Sequence, residues 1–229
     1  RKSLNERGTL DVLRNGIEML GLKAPLSLVQ FKPALAFNEQ LAQRYTANRL
    51  RVVRQVRHSS NHPHDAVDLV LFVNGLAVAT AELKSDFTQS VDDAVDQYRA
   101  DRDPAPKGGL PEPLLAFPGG ALVHFAVSHT EVRMCTRLAG SASVFLPFNR
   151  GNGGGAGNEP NKHGAATAYL WEEVWQRDAW LDLLARFVHV EKDSLGAKVP
   201  GRVVFPRFHQ WDAVLALEAA AKAEGAGHR

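Results

Sequence analysis

Asp68 and the run Glu82-Leu83-Lys84 place two carboxylates and a lysine at the ends of two apolar segments, 67–73 and 76–84, which Asn74-Gly75 separates. Side chains alternate along a strand, so Glu82 and Lys84 share one face and Leu83 takes the other. A buried-looking strand that ends in charges is costly unless those charges are paired or bind a metal. Two carboxylates and the backbone carbonyl of Leu83 offer hard oxygen ligands to Mg²⁺ and leave room for water and phosphate. Lys84 can hold or deprotonate an attacking water. The chemistry this set could perform is in-line hydrolysis at phosphorus, with Asp68 and Glu82 on the metal and Lys84 on the water.

That chemistry depends on register. Asn-Gly between β-rich segments predicts a hairpin. A plain two-residue turn pairs Val73 with Leu76, puts Val67 across from Glu82 and turns Asp68 to the wrong face. A three-residue loop, Val73-Asn74-Gly75 with Gly75 left-handed, or alternatively a bulge, shifts the parity and joins Asp68 to Glu82. We expect that shift. A helix follows over 90–102, with Val91, Ala94, Val95 and Tyr98 at helical spacing.

Elsewhere the spacing predicts helices over 9–20 and 37–46 and strands over 26–31 and 50–57, the last with one wet face of basic residues. Residues 103–120, rich in proline and glycine, read as a loop. Short strands are expected over 121–127, 132–138 and 143–146, and a polar glycine-rich segment over 148–164. Two helical stretches over 168–190 carry Trp171, Trp175 and Trp180 as expected core. A linker over 191–201 and an alanine-rich helix over 208–224 complete an α/β (α+β) fold with a mixed central sheet.

With 45% hydrophobic and 23% charged residues in 229, composition excludes collagen-like, coiled-coil and wholly disordered chains. No apolar run approaches a bilayer span and the first residues lack a secretory signal, so no membrane partner is expected. Cys135 is the single cysteine, which rules out an internal disulfide and points to a reducing compartment, the cytoplasm. A net charge of +2 from 27 basic and 25 acidic residues is too even to mark a nucleic-acid binder in bulk. Locally, Arg44, Arg49, Arg51, Arg54 and Arg57 form either a phosphate-contacting stretch or a solvated strand face. The chain reads as a piece of something longer.

Other signals are weaker. His62-Pro63-His64-Asp65 with His58 has the residue types of a zinc site but no third convincing ligand. Gly151 to Ala156 matches Gly-x-Gly-x-x-Ala, yet no helix follows it, which rejects dinucleotide binding. Glu39 fits either an outer-shell acid or an exposed helix charge.

An acid opening one strand, Glu-x-Lys closing its hairpin partner and a helix after it resemble the PD-(D/E)xK nuclease core. The segments Asp68-Leu69-Val70-Leu71-Phe72-Val73-Asn74-Gly75-Leu76 and Ala79-Thr80-Ala81-Glu82-Leu83-Lys84 resemble the N-terminal nuclease region of the motor (R) subunit of type I restriction enzymes. So do residues 145–158 and 167–174, and the resemblance runs from about Asn5 to the end. It implies an endonuclease domain over 1–190, with 191–229 as linker and lead-in to an ATP-driven translocase. It further implies double-stranded DNA as substrate, Mg²⁺ as cofactor, methylation and specificity subunits as partners, and cleavage that is not sequence-read at the nuclease. ATP would serve only the full-length motor, since no Gly-x-x-x-x-Gly-Lys-[Ser/Thr] phosphate loop occurs here.

Phe205 to Gln210 resembles the lead-in to such motors, where a glutamine contacts adenine; Gln210 is that candidate, and a plain helix start is the alternative. Related nucleases often carry Gln-x-x-x-Tyr on the helix after Glu-x-Lys, whereas here Ala94 holds the glutamine's place and Gln97 adjoins Tyr98. Gln97, Tyr98 and Arg102, with Arg51 and Arg54, are candidate DNA contacts, although Tyr98 also fits the apolar helix face. The competing expectation is a non-catalytic docking domain that keeps the nuclease fold and couples the motor to its partner subunits.

Overall fold

The computed structural model describes residues 1–33, 37–85, 87, 89–191 and 201–225. Helices α1 (Lys2–Arg7) and α2 (Thr9–Asn15) open the chain. The helix expected over 9–20 ends early because the chain turns back at Gly16, with φ of 70° and the Leu26 carbonyl oxygen occupying the space a Cβ would need. Ile17 and Leu26 exchange backbone hydrogen bonds of 3.1 and 2.8 Å there. The strand expected over 26–31 reduces to that single bridge. Helix α3 (Glu39–Ala47) starts where Asn38 caps it, its side chain accepting from the Leu41 amide at 3.1 Å.

Six strands form one sheet in sequence order: β1 (Leu50–Arg57), β2 (Ala66–Val73), β3 (Leu76–Leu83), β4 (Val123–Val127), β5 (Val132–Cys135) and β6 (Leu146–Pro147). Neighbours are antiparallel except β3 and β4, which run parallel. Such a pair needs a crossover, supplied by α4 (Val91–Asp101) and the loop after it. The mixed sheet matches the expected α/β (α+β) class. As an edge strand, β1 is exposed over most of its length on both faces, with Val52 and Val53 reaching solvent, so the single wet face expected there is corrected.

The two faces of the sheet are covered differently. Ala79, Ala81, Val123, Phe125 and Val127 look into the main core, where Phe148, Trp180, Leu183 and Leu184 pack. Phe148 follows β6, α5 (Arg177–Asp182) and the wide turn Leu183–Phe187 that continues it bring the other three, and a helical turn, Leu170–Val174, adds Leu170 and Val174. Trp180 is buried and Trp175 packs partly against the core, but Trp171 faces solvent. Strand β7 (His189–Glu191) pairs with β8 (Arg202–Val204), and α6 (Phe208–Glu224) follows. Residues 192–200 of the expected linker lie outside the described residues. Val203, Phe205, Phe208 and Trp211 return to the main core. On the other face α4 lays Val91, Ala94 and Val95 on Ala126, and Tyr98 behind them.

Candidate active site

The hairpin turn has two residues, not three. Val73 pairs with Leu76, and Asn74 and Gly75 take φ of 49° and 88°, as a two-residue turn between twisted strands requires. The parity shift comes from a bulge instead: Phe72 pairs with Ala77 but Leu71 with Ala79, leaving Val78 over. The Leu122 amide donates to the Val78 carbonyl at 3.0 Å, so the extra residue is tied to the β4 side. Beyond the bulge Leu69 meets Ala81, and the same register carries Asp68 to the level of Glu82. A one-residue insertion thus decides that the two carboxylates converge.

Each carboxylate is held by a separate set of donors. Asp68 Oδ2 accepts from the Leu83 amide at 2.8 Å and Oδ1 from Gln55 Nε2 at 2.7 Å. Gln55 stands in β1 with φ of 51°, a left-handed conformation that side chains rarely adopt and that clusters at functional sites. Glu82 is fully buried, its Oε1 accepting from Arg102 Nε at 2.7 Å. Its Oε2 is buried with no hydrogen-bond partner. Burial pushes the Glu82 carboxyl up to about 7 against the pull of Arg102, and neighbouring Asp68 adds to the rise. Lys84, half-buried, donates from Nζ to Gln97 Oε1 at 2.7 Å.

Behind these groups α4 closes a buried polar cluster. Thr80 Oγ1 lies 2.8 Å from Tyr98 OH and 2.7 Å from His124 Nδ1. Burial pushes His124 down to about 3 and Tyr98 well above its ordinary value, which leaves the imidazole neutral and the phenol protonated at pH 7.

Two expected DNA contacts are corrected. Tyr98 is fully buried, and Arg102, 4% exposed, is spent on Glu82 and on the Ala66 carbonyl at 2.8 Å. Arg51 and Arg54 are exposed on β1, Arg54 next to Gln55 and Arg51 four residues before it. Gln97 is half-buried and turned to Lys84 rather than outward. Gln210 is exposed, its Oε1 accepting from the Arg207 amide at 3.0 Å and so capping α6. Glu39 is exposed in the first turn of α3. His62 and His64 are exposed, whereas His58 is buried 3.6 Å from Glu112. Among the described residues no group of three or more His, Cys, Asp or Glu is poised for a metal; Asp68 and Glu82 supply two carboxylates.

Asp68 opens into a cleft of about 990 Å³ lined also by Gln55, His64, Gln97, Arg102 and Lys107, whereas Glu82 is fully buried. Residues 31–143 match the family described as the type I restriction enzyme R protein N terminus. Over that stretch the chain belongs to this family. The matched residues hold α3, β1 to β5 and α4, and therefore Asp68, Glu82 and Lys84; the similar segments at 145–158 and 167–174 lie beyond it. No curated protein matches the chain. No helix among the described residues is long and apolar enough to cross a membrane.

Gln55 and the buried role of Arg102 were not legible as site features. Nothing in the basic run around Gln55 distinguishes it, and an arginine after a helix reads by default as solvated.

Proposed function

We propose that this member of the R protein N-terminus family is a Mg²⁺-dependent DNA endonuclease domain, cutting phosphodiesters without sequence preference once the full subunit has translocated DNA. The observation that carries this reading is the convergence of Asp68 and Glu82 across the bulge, with Glu82 Oε2 buried and unpartnered. A desolvated carboxylate oxygen without a donor costs on the order of 1–3 kcal/mol or more, which a proton or a bound cation relieves. Asp68, Glu82 and the Leu83 carbonyl would hold the ion, which when bound supplies neutralisation of charge on the phosphoryl oxygens and the leaving 3′ oxygen.

The chain's own groups do the positioning. Lys84 carries three N–H donors; Gln97 takes one, which leaves the others to hold the attacking water and a phosphate oxygen. Gln55 and the Leu83 amide fix the Asp68 carboxylate, so it does not rotate when substrate arrives. Arg51 and Arg54, exposed on the strand that carries Gln55, would contact DNA phosphates, which suits binding that reads no bases. Methylation and specificity subunits would supply recognition, ATP would serve a motor beyond this chain, and the setting would be the bacterial cytoplasm.

A supercoiled-plasmid nicking assay tests the reading, with Mg²⁺, Mn²⁺ or chelator and no ATP. Metal-dependent nicking is expected from the chain and is lost in Glu82→Ala and in Lys84→Ala, with folding checked by circular dichroism. Nicking that survives either substitution removes that residue from the mechanism. Silence of the isolated chain moves the comparison to the whole complex, where equal cutting with and without Glu82 would leave the docking role.

A further inference from the structure

Arg102 follows the last residue of α4, yet its guanidinium is turned inward. Nε donates to Glu82 Oε1 at 2.7 Å, Nη2 to the Ala66 carbonyl at 2.8 Å and Nη1 to the Asp101 carbonyl at 3.4 Å, with Asp65 3.8 Å from Nη1. A planar fork fixed at separate points cannot swing away, so Oε1 of Glu82 is committed to it. The usual strong pairing of arginine with a carboxylate is bidentate and satisfies both oxygens. Here the second arm goes to a backbone carbonyl, and Oε2 is left buried with no partner. For stability alone that is a poor arrangement. For ligation it is a useful one, because one oxygen anchors the side chain while the other stays open. The contact to Ala66 adds a second constraint, since Ala66 begins the strand that carries Asp68.

We propose that Arg102 is a positioning residue for the divalent ion: it grips Glu82 by Oε1 so that Oε2 is presented to the metal, and it holds the start of β2 against the end of β3 so that Asp68 is presented alongside. This rests on the metal-dependent nuclease reading above. Donors behind a ligating carboxylate typically set metal affinity by about 10–100-fold. Arg102→Lys keeps the positive charge but loses the fork, and Arg102→Met loses both.

The test is Mn²⁺ binding to the chain, followed by electron paramagnetic resonance well below each variant's melting temperature, with Asp68→Ala as control. Wild type is expected to bind Mn²⁺, Asp68→Ala to lose it, and both Arg102 variants to bind about tenfold more weakly or worse. Arg102→Met binding as tightly as wild type, or more tightly because a repelling charge has gone, overturns the proposal. If Arg102→Met does not fold, Arg102→Lys decides alone, and wild-type affinity in it is equally fatal. Failure of wild type to bind Mn²⁺ tells instead against the metal-dependent reading itself and removes the role of Arg102 with it.

Discussion

The two faces of the sheet bury their side chains under opposite rules, a large apolar cluster on one and two small ones with a polar network on the other. On one face Phe125 meets Phe148, Trp175, Trp180 and Phe205 at ring-centroid distances of 5.7 to 6.5 Å, and Phe148 continues the cluster to Phe208. On the α4 face Thr80, Tyr98 and His124, and then Glu82 and Arg102, are joined by specific hydrogen bonds. Unpartnered polar atoms occur on both: Nε1 of Trp175, Trp180 and Trp211 on the first, Oε2 of Glu82 on the second. The difference lies in charge. A neutral indole N–H without an acceptor is a tolerable loss inside a large aromatic cluster, whereas a buried carboxylate oxygen without a donor demands a proton or a cation. Stability is concentrated on the aromatic face and unmet electrostatic demand on the α4 face.

The sharpest way to break that division is Phe148→Ala. Phe148 is fully buried among Phe125, Phe205 and Phe208, and its truncation is expected to cost about 3–5 kcal/mol in urea unfolding. Mn²⁺ affinity of the remaining folded protein should be unchanged; a metal site that weakens in step would show the two faces to be one cooperative device.

The second test concerns Glu82 as a titrating group. Its carboxyl is raised to about 7 in the folded chain from an ordinary value of 4.5. Between those values the native state holds the proton that the unfolded state has released, so stability falls as pH rises through this window. With chelator present, the unfolding free energy of wild type relative to Glu82→Gln should drop by about 2 kcal/mol from pH 5 to pH 8. Divalent metal should restore it. A difference independent of pH would mean that Arg102 keeps Glu82 ionised throughout.

What the sequence made legible follows the range of the forces involved. The bounds of β1 and the existence of β2, β3 and α4 follow from local alternation, β-rich apolar runs about Asn74-Gly75 and the helical spacing of Val91, Ala94, Val95 and Tyr98, all short-range signals. The bulge could be inferred only as a requirement, because nothing in Val78 itself marks it. Residues 9–20 failed as one helix since the stop is a tertiary event, the close approach of Leu26 to Gly16. Arg102 was misplaced, and Tyr98 left open between a DNA contact and the core it enters, for the same reason: helical spacing says which face a side chain leaves from, but not what waits at the end of it. The return of Phe205, Phe208 and Trp211 to the core is likewise a long-range packing choice that an alanine-rich helix pattern does not announce.

The smallest effect on stability is expected at Gln97, and it bears most directly on which face does chemistry. Gln97 holds Lys84 through one hydrogen bond of 2.7 Å between half-buried side chains. Gln97→Ala should therefore change the unfolding free energy by no more than about 0.5 kcal/mol, as for a substitution away from caps and core. Mn²⁺ affinity should also hold, because Gln97 donates to neither carboxylate. What Gln97→Ala removes is the constraint on Lys84 Nζ, and a catalytic group displaced by about 1 Å can lose up to about 100-fold in rate. A nicking rate lowered at least tenfold, with metal binding and stability intact, would assign to Gln97 the positioning work that the customary glutamine, absent at Ala94, does not perform here. Unaltered nicking would show that Lys84 needs no partner on α4, and would leave the α4 face with the carboxylates as its whole contribution.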